Sequence, residues 1–289
     1  MRALFTGGSS PLGAGVLRRL LAGGRHAEVW CAVNRRDVPV EHERLRRVGL
    51  RLDNDFTLDE IPAPLDEVIH FAGVTHAHDE RRYWDVNWRG TLRLAELARA
   101  RGCRRFVYVS TRCATEGSGA YGESKLAAER GLLSLDWQSL LILRPSEVYG
   151  AGGREGVDKL LELARRARVV PLLWGHVGLE FAPLRADDFV EAVSALLSER
   201  REGVRIIELC GPESLSGAAL ARRIARRYGA LPLPVWWPAL SLALRAAARL
   251  GISPVKPDQI KRLVGRKTAS RSTPDPALEP LRASRFLRD

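Results

Sequence analysis

The chain has 289 residues, of which 45% are hydrophobic and 28% are charged. This balance is typical of a globular protein and excludes a disordered chain, and no uncharged stretch is long enough for an integral membrane segment. The net charge of +12 comes from arginine, because only five of the 46 basic residues are lysine.

Short apolar runs alternate with helix-period segments in the first half of the chain. The segments between the runs predict helices over 11–23, 82–101 and 119–134. The runs predict strands at Ala3–Thr6, Ala27–Val33, Val48–Leu52, Val68–Phe71, Arg105–Ser110 and Ser139–Leu143. Strands that alternate with helices predict an α/β fold, a Rossmann-type doubly wound parallel sheet covered on both faces.

The second half of the chain is less regular. It predicts one strand, Val204–Leu209, and helices over 155–168, 187–198, 216–228 and, with proline interruptions, 230–265. The polar tail after Lys267 is expected to run over the surface. We therefore predict a cofactor-binding domain over 1–150, to which 186–209 return. Residues 151–185 and 210–289 are expected to form mostly a small C-terminal substrate-binding cap and the tail.

The first loop predicts a dinucleotide site. It lies between the first strand and an amphipathic helix, where Gly7 permits a tight turn and Gly13 lets the helix pack closely on the strand. Pro11 suits the first helical turn, where a missing N–H costs little. The N–H groups of Ser10, Leu12 and their neighbours at the helix N-terminus would face a pyrophosphate.

The ends of the next three strands carry candidate cofactor contacts. Arginine after the second strand suits the 2′-phosphate of NADP, whereas an acidic residue there is typical of NAD. The alternative is that these arginines lie on a solvated turn, which keeps NAD possible. Polar groups after the third strand could meet the adenine, and small residues after the fourth permit close approach of the cofactor. The candidates are Asn34, Arg35, Arg36, Asp53, Asn54, Phe71, Ala72 and Gly73.

A YxxxK pair follows the fifth strand. Tyr121 and Lys125 are four residues apart, so a helix places them on one face. A lysine ammonium beside a phenol lowers the phenol pKa and makes it a usable proton donor or acceptor near neutrality. Thr111 ends the fifth strand, and its hydroxyl could hold a carbonyl oxygen.

Three further segments contain motif patterns, namely Asn87–Thr91, Leu143–Gly150 and Leu184–Phe189. Together with the first loop and the YxxxK pair, they make the chain resemble the extended short-chain dehydrogenase/reductase (NAD-dependent epimerase/dehydratase) family over about residues 1–265. That family contains nucleotide-sugar epimerases, dehydratases and ketoreductases. Its first loop reads TGxxGxxG, and this chain has Ser10 in place of the middle glycine.

The resemblance implies hydride transfer to or from a bound NADP or NAD. Thr111, Tyr121 and Lys125 would be catalytic, with Tyr121 as the general acid or base. Lys125 would bind the cofactor ribose and depress the Tyr121 pKa. The residues that the resemblance implies as further cofactor contacts are Asn87, Pro145 and Ser146, with Tyr121 and Lys125 touching the cofactor as well.

The resemblance implies reduction or epimerisation at a carbonyl or hydroxyl carbon of a nucleotide-activated sugar. Dehydration is disfavoured, because Arg112 and Cys113 stand where the dehydratases have an acidic pair. Thr111 and Tyr121 are only ten positions apart in the chain, and the intervening hairpin, Arg112–Gly119, is short. This departure leaves two alternatives open: a reductase of a non-sugar ketone, and a non-turnover NADP-holding scaffold similar to the Rossmann-fold accessory subunit of respiratory complex I.

Partners and location follow from the remaining features. The arginines are spread along the chain without a nucleic-acid-binding signature, so the expected partner is a small molecule and not a nucleic acid. The four cysteines lack CxxC spacing, so we expect reduced thiols and no metal site. No secretory leader pattern is visible, which favours a cytoplasmic protein. The family resemblance implies a possible homodimer.

Overall fold

The fold is built on one large parallel sheet. The computed structural model describes residues 1–152, 156–174, 180–249, 267–269, 271–279, 281 and 286–287. The seven strands of the sheet are β1 (Arg2–Thr6), β2 (Glu28–Val33), β3 (Leu45–Gly49), β4 (Glu67–His70), β5 (Arg105–Val109), β6 (Ser139–Pro145) and β11 (Gly203–Leu209). Their order is β11-β6-β5-β4-β1-β2-β3, and every pairing is parallel.

The strand order reverses between β1 and β4. The chain builds outward from β1 to β2 and β3, then returns to place β4 on the other side of β1. The loops after β1 and β4 therefore leave the sheet in opposite directions and open a crevice at their carboxyl ends. This is a Rossmann-like α/β fold, as the alternation of strands and helices predicts.

Helices cover both faces of the sheet. They are α1 (Pro11–Ala22), α2 (Arg81–Tyr83), a π-helical segment (Trp84–Gly90), α3 (Thr91–Ala100), α4 (Ala120–Leu133) and α6 (Ala186–Ser198). Successive side chains of β1 point to opposite faces, as the pleat requires. Phe5 packs in the core with α1 and α6, whereas Leu4 packs in the core with α3 and α4.

Shorter elements in the second half form a third core. They are β7 (Val148–Tyr149), α5 (Gly156–Arg166), β8 (Val169–Trp174), β9 (Glu180–Phe181), β10 (Leu184–Arg185), β12 (Leu215–Ser216), α7 (Gly217–Tyr228), β13 (Leu231–Trp236) and α8 (Trp237–Arg249). Tyr149, Phe181 and Ile224 are buried together here. Among the described residues, no helix is long and apolar enough to cross a membrane.

The predicted third strand is displaced. It occupies Leu45–Gly49 rather than Val48–Leu52, and Leu50 and Leu52 pack into the core from the loop that follows. The strand lies at the edge of the sheet, and its central residues Arg46 and Arg47 are exposed. An edge strand with exposed polar residues has no continuous apolar run. The apolar run therefore lay partly in the following loop, and the strand was predicted there instead.

The predicted helix over 230–265 is wrong at its start. Leu231–Trp236 is a strand paired in parallel with β8, whereas residues 250–266 lie outside the described residues. Pro232 and Pro234 explain the strand, because they lack the N–H that a helix interior needs. They occupy alternate positions of a strand in a two-stranded sheet, and Leu231, which precedes them, donates its N–H to the Arg168 carbonyl at 2.7 Å.

The tail also departs from the prediction of a surface segment. Thr273 donates its N–H to the Glu208 carbonyl of the edge strand β11 at 3.1 Å. Leu278 and Leu281 are buried in the core beside α6, and the Phe286 ring packs against the Tyr149 ring at 5.1 Å. The tail has few apolar residues and several prolines. Its sequence therefore did not predict that it covers the edge of the sheet.

A buried ion-pair cluster lies near the amino-terminal ends of the central strands and connects elements there. The Glu67 carboxylate lies 2.9 Å from His26 Nε2 and 3.2 Å from Arg105 Nη1. Arg105 also donates to the carbonyls of Leu197 at 3.1 Å and Leu196 at 3.3 Å. A guanidinium at the last turn of a helix is favourable because those carbonyls have no partner within the helix. Glu67 thus connects β4, β5 and the end of α6.

Glu67→Ala should lower the free energy of unfolding by about 3–5 kcal/mol, because it leaves the buried Arg105 charge unpaired. Urea unfolding at neutral pH measures the change. Glu96→Ala is the matched control, since Glu96 is exposed on α3 and should change stability by less than about 0.5 kcal/mol. Equal effects of the two substitutions would contradict this role of the cluster.

Candidate active site

The loop after β1 is held in a conformation that needs glycine. Gly7 has φ +80°, and a Cβ there would lie 2.7 Å from the backbone of Phe71 and Ala72. A Cβ on Gly13 would collide with the Gly7 carbonyl oxygen. Ser10, which stands at the family's middle glycine, caps α1: its hydroxyl donates to the Gly7 carbonyl at 2.9 Å and accepts from the Gly13 N–H at 3.1 Å.

A cleft of about 240 Å³ lies at the β1–β4 switch point. The predicted cofactor residues that line it are Gly7, Ser10, Asn34, Asp53, Phe71, Ala72 and Gly73. Backbone forms part of its wall at Gly7 and Gly73, which permits close approach of a ligand; a Cβ on Gly73 would lie 3.1 Å from Asn87 Oδ1. Pro11, Leu12, Asn54, Arg35 and Arg36 are outside this lining, and both arginines are exposed on the turn after β2.

Arg82 is a lining residue that the sequence interpretation missed. Its guanidinium lies 3.6 Å from the Asp53 carboxylate, which also accepts from Arg51 at 3.3 Å. Asp53 therefore stands between two cations at the end of the cleft where we predicted the adenine. Arg82 follows a long loop in the sequence, and nothing in its local pattern distinguishes it from the other arginines.

Asn87 is buried in the π-helical segment. Its Oδ1 accepts from the Val74 N–H at 2.7 Å, and its Nδ2 donates to the Val74 carbonyl at 3.0 Å and to Ser124 Oγ at 3.2 Å. The carboxamide thus ties the loop after β4 to α4. In this arrangement Asn87 fixes the backbone wall of the cleft rather than lining the cleft itself.

Lys125 is almost fully buried behind that wall. Its Nζ donates to the Val109 carbonyl at 2.7 Å and lies 4.1 Å from the centre of the Tyr108 ring. It would lie 3.8 Å from a Cβ placed on Gly73. Burial lowers the pKa of Lys125 to about 7, although the nearby Glu129 carboxylate acts in the opposite direction.

Thr111 and Tyr121 line a second cavity, of about 390 Å³. Lys125 is one helical turn after Tyr121 on α4 and is not among the lining residues of either cavity. Pro145 and Ser146 line this second cavity rather than the first. The structure therefore places Thr111 and Tyr121 in one cavity, with Lys125 buried one helical turn from Tyr121. The segment Arg112–Gly119 is a series of turns and not the predicted hairpin.

Glu147, Arg112 and Lys267 also line the second cavity. The sequence interpretation quoted Glu147 within a motif without a role and placed Lys267 at the start of a surface tail. Lys267 is one of only five lysines in the chain, which was the available signal. A larger cavity of about 580 Å³ lies beside Met1 and Arg104, at the opposite edge of the sheet from these residues.

A comparison with models of protein families shows which family the chain belongs to. The model of the NAD dependent epimerase/dehydratase family matches residues 3–210. The chain belongs to this family. The match covers the seven-stranded sheet and all the residues described in the two cavities except Lys267.

Relatives within this family differ in what they act on. The chain is 38% identical over 117 residues to ceramide reductase of Caulobacter vibrioides, covering 40% of this chain and 36% of that protein. It is 25% identical over 200 residues to UDP-glucose 4-epimerase of Vibrio cholerae, covering 58% and 60%. It is 30% identical over 194 residues to 2-alkyl-3-oxoalkanoate reductase of Stenotrophomonas maltophilia, covering 58% and 57%. The matches thus span between about a third and three fifths of these relatives.

Comparison with solved structures shows a shared fold. MoeE5 in complex with UDP-glucuronic acid and NAD superposes with a TM-score of 0.68 at 20% sequence identity, covering 93% of this chain and 98% of that chain. This likeness extends beyond the large sheet into the second half of the chain. The chain is therefore a member of the NAD dependent epimerase/dehydratase family, and it shares its α/β fold with this solved structure.

Gly13→Ala should weaken dinucleotide binding at least about tenfold, because the added Cβ displaces the Gly7 backbone. A fluorescence titration with NADPH measures the dissociation constant. Gly49→Ala is the control, since a Cβ there meets nothing within 4 Å. Unchanged NADPH affinity in the Gly13 variant would show that the loop does not bind the dinucleotide.

Lys125 should make the stability of the ligand-free protein depend on pH. Its pKa is about 7 in the folded protein and 10.5 ordinarily, so the unfolded chain holds more protons between these values. The free energy of unfolding therefore gains a contribution that rises with pH across this interval, by a few kcal/mol in total. Below about pH 7 the full free-energy cost of burying the Lys125 ammonium lowers the stability of the folded protein.

Urea unfolding of wild type and Lys125→Met, from pH 6 to pH 10, isolates this contribution. The difference in stability between the two proteins should favour the variant most at low pH and shrink as pH rises. Lys159→Met, which removes a half-exposed lysine on α5, should show no such trend. Parallel pH profiles for wild type and Lys125→Met would refute the assignment.

Proposed function

We propose that the chain is an NADP-preferring oxidoreductase that reduces or epimerises a carbon bearing a carbonyl or hydroxyl group. The observation that carries this proposal is the placement of Tyr121 and Lys125. Tyr121 lines one cavity with Thr111, and Lys125 lies behind the wall of the other cavity. The proposed proton donor and orienting hydroxyl thus share one cavity, and the proposed cation is buried one helical turn from the proton donor.

Each of the three residues has a distinct role in the proposal. Tyr121 gives a proton to the carbonyl oxygen during reduction and takes one from the hydroxyl during oxidation. Thr111 donates a hydrogen bond to the same oxygen and fixes its position. Lys125 holds the cofactor ribose, and its ammonium lowers the Tyr121 pKa. The bound dinucleotide supplies or accepts the hydride.

The cofactor is proposed to lie along the first cleft. Gly7, Ser10, Pro11 and Leu12 would face its pyrophosphate at the N-terminus of α1. The exposed Arg35 and Arg36 support NADP, because a mobile guanidinium beside the adenosine ribose can pair with a 2′-phosphate. Asn34, Asp53 and Asn54 would contact the adenosine half, and Phe71, Ala72 and Gly73 the central part. Pro145 and Ser146 would touch the nicotinamide side.

The substrate is proposed to be a nucleotide-activated sugar, which is what the UDP-glucose 4-epimerase relative is named for. Residues 151–185 and 210–289 would provide most of the substrate-binding cap, closed on the 1–150 domain, and a homodimer stays a prediction. A non-sugar ketone is the second candidate. It is supported by two relatives, ceramide reductase and 2-alkyl-3-oxoalkanoate reductase, and by the short segment between Thr111 and Tyr121.

Tyr121→Phe should reduce turnover at least about a hundredfold, because the phenol oxygen carries the proton. Turnover is followed by NADPH absorbance and product chromatography with UDP-, GDP-, dTDP- and CDP-sugars and with 3-oxo esters. NADPH affinity should stay within about threefold of wild type. Tyr228→Phe, on the distant helix α7, is the control. Unchanged turnover in Tyr121→Phe would refute the mechanism.

A further inference from the structure

Three charged side chains stand together on one wall of the cavity that holds Thr111 and Tyr121. Arg112 follows Thr111 directly in the chain, Glu147 lies between β6 and β7, and Lys267 comes from the C-terminal tail. The three segments are far apart in sequence. The mechanism proposed above uses none of these side chains.

Both cations contact the same carboxylate. Lys267 Nζ lies 2.8 Å from Glu147 Oε1, and Arg112 Nη1 lies 3.5 Å from Glu147 Oε2. Glu147 Oε2 also accepts from the Ala182 N–H at 3.1 Å. Burial would raise the pKa of Glu147, but Lys267 and Arg112 outweigh it and hold the pKa below its ordinary value. Glu147 is therefore ionised.

The wall has one positive charge in excess. Glu147 balances only one of its two cations, and the Arg112 side chain is only 3% exposed. Arg112 Nε is buried without a hydrogen-bond partner among the described residues. A buried charge that its partner does not balance is costly, so an added anion would stabilise this wall.

The charges behind the wall form a separate cluster. Arg144 pairs with Glu129 at 2.5 Å and with Glu208 at 3.1 Å, which leaves one negative charge in that group. Lys125, with a pKa of about 7, balances part of that charge near neutral pH. On the cavity wall itself two cations contact one carboxylate, so the excess positive charge lies at Arg112 and Lys267.

We propose that Arg112 and Lys267 form a subsite for a carboxylate attached close to the reacting carbon of the substrate. Arg112 neighbours Thr111, which orients the reacting oxygen, so the carboxylate lies within a few bonds of that oxygen. Arg112 and Lys267 supply the two positive charges of this subsite, of which Glu147 balances one. This inference rests on the proposed function and narrows its substrate class.

Two kinds of substrate contain such a carboxylate. One is a nucleotide-activated uronic acid, and the other is a 3-oxo acid, in which one carbon separates the ketone from the carboxylate. Both present an anion to the same wall while the carbonyl or hydroxyl faces Thr111 and Tyr121. The short segment between Thr111 and Tyr121 is compatible with either one.

Calorimetric binding to the full chain tests the subsite with two matched pairs of ligands. UDP-glucuronate is compared with UDP-glucose in the presence of NADPH, and 3-oxohexanoate is compared with its methyl ester in the presence of NADP⁺. Each cofactor is in the oxidation state that prevents turnover. In at least one pair the acid should bind about tenfold or more tightly than its neutral counterpart.

Variants separate binding from structural support. Arg112→Gln and Lys267→Gln should each bring the ratio of acid to neutral affinity toward one, whereas Glu147→Gln should increase it. A purely structural role would weaken both members of a pair equally and leave the ratio unchanged. Arg185→Gln, an exposed site outside the cavity, should leave the ratio at its wild-type value.

Equal affinity for acid and neutral ligand in both pairs, or no binding of either acid, would overturn the subsite. A preference that persists in both Arg112→Gln and Lys267→Gln would overturn it as well. All of these outcomes leave the proposed function intact, because NADPH binding and the Tyr121→Phe result do not depend on them. Failure of NADPH to bind would overturn both proposals.

Discussion

His70 joins three elements at the centre of the sheet. Its Nδ1 lies 2.6 Å from Thr6 Oγ1 at the end of β1, and its Nε2 lies 2.9 Å from Thr91 Oγ1 at the start of α3. Burial and the charge of Lys125 lower the pKa of His70 to about 3, so the ring is neutral at physiological pH. A neutral imidazole donates through one nitrogen and accepts through the other, which matches two hydroxyl partners.

The candidate site depends on this connection. Thr6 Oγ1 also accepts the Ala72 N–H at 3.1 Å, so the loops after β1 and β4 are fixed relative to each other. Asn87 then holds the continuation of that loop to α4, the helix that contains Tyr121 and Lys125. One chain of buried hydrogen bonds therefore connects the cleft at the switch point with α4, which contains the proposed catalytic residues.

The sequence predicted the parts of the molecule whose signals are local. Strands buried on both faces are apolar runs, and the first loop and the YxxxK pair have fixed spacings, so the sheet and the residues around the switch point could be predicted. His70 was quoted only as the end of a strand, because its two threonine partners are distant in sequence. The edge strand β3 and the proline-containing strand β13 lack the run that marks a buried strand.

The residues that line the second cavity also divide into those that local motifs predict and those that they do not. Thr111 and Tyr121 belong to motifs, whereas Arg112, Glu147 and Lys267 meet only because the C-terminal tail folds back over the sheet edge. No periodicity in a tail predicts its tertiary partners. The specificity of the site is expected to reside in such long-range contacts, while the shared chemistry resides in the local motifs.

Cofactor binding is the claim on which the catalytic account depends. A calorimetric titration of the purified chain with NADPH and with NADH tests it most directly. The account predicts saturable binding of one NADPH per chain, with weaker binding of NADH. Absence of binding by both nucleotides would contradict it, because the cleft at the β1–β4 switch point would then have no dinucleotide to place beside Tyr121 and Lys125.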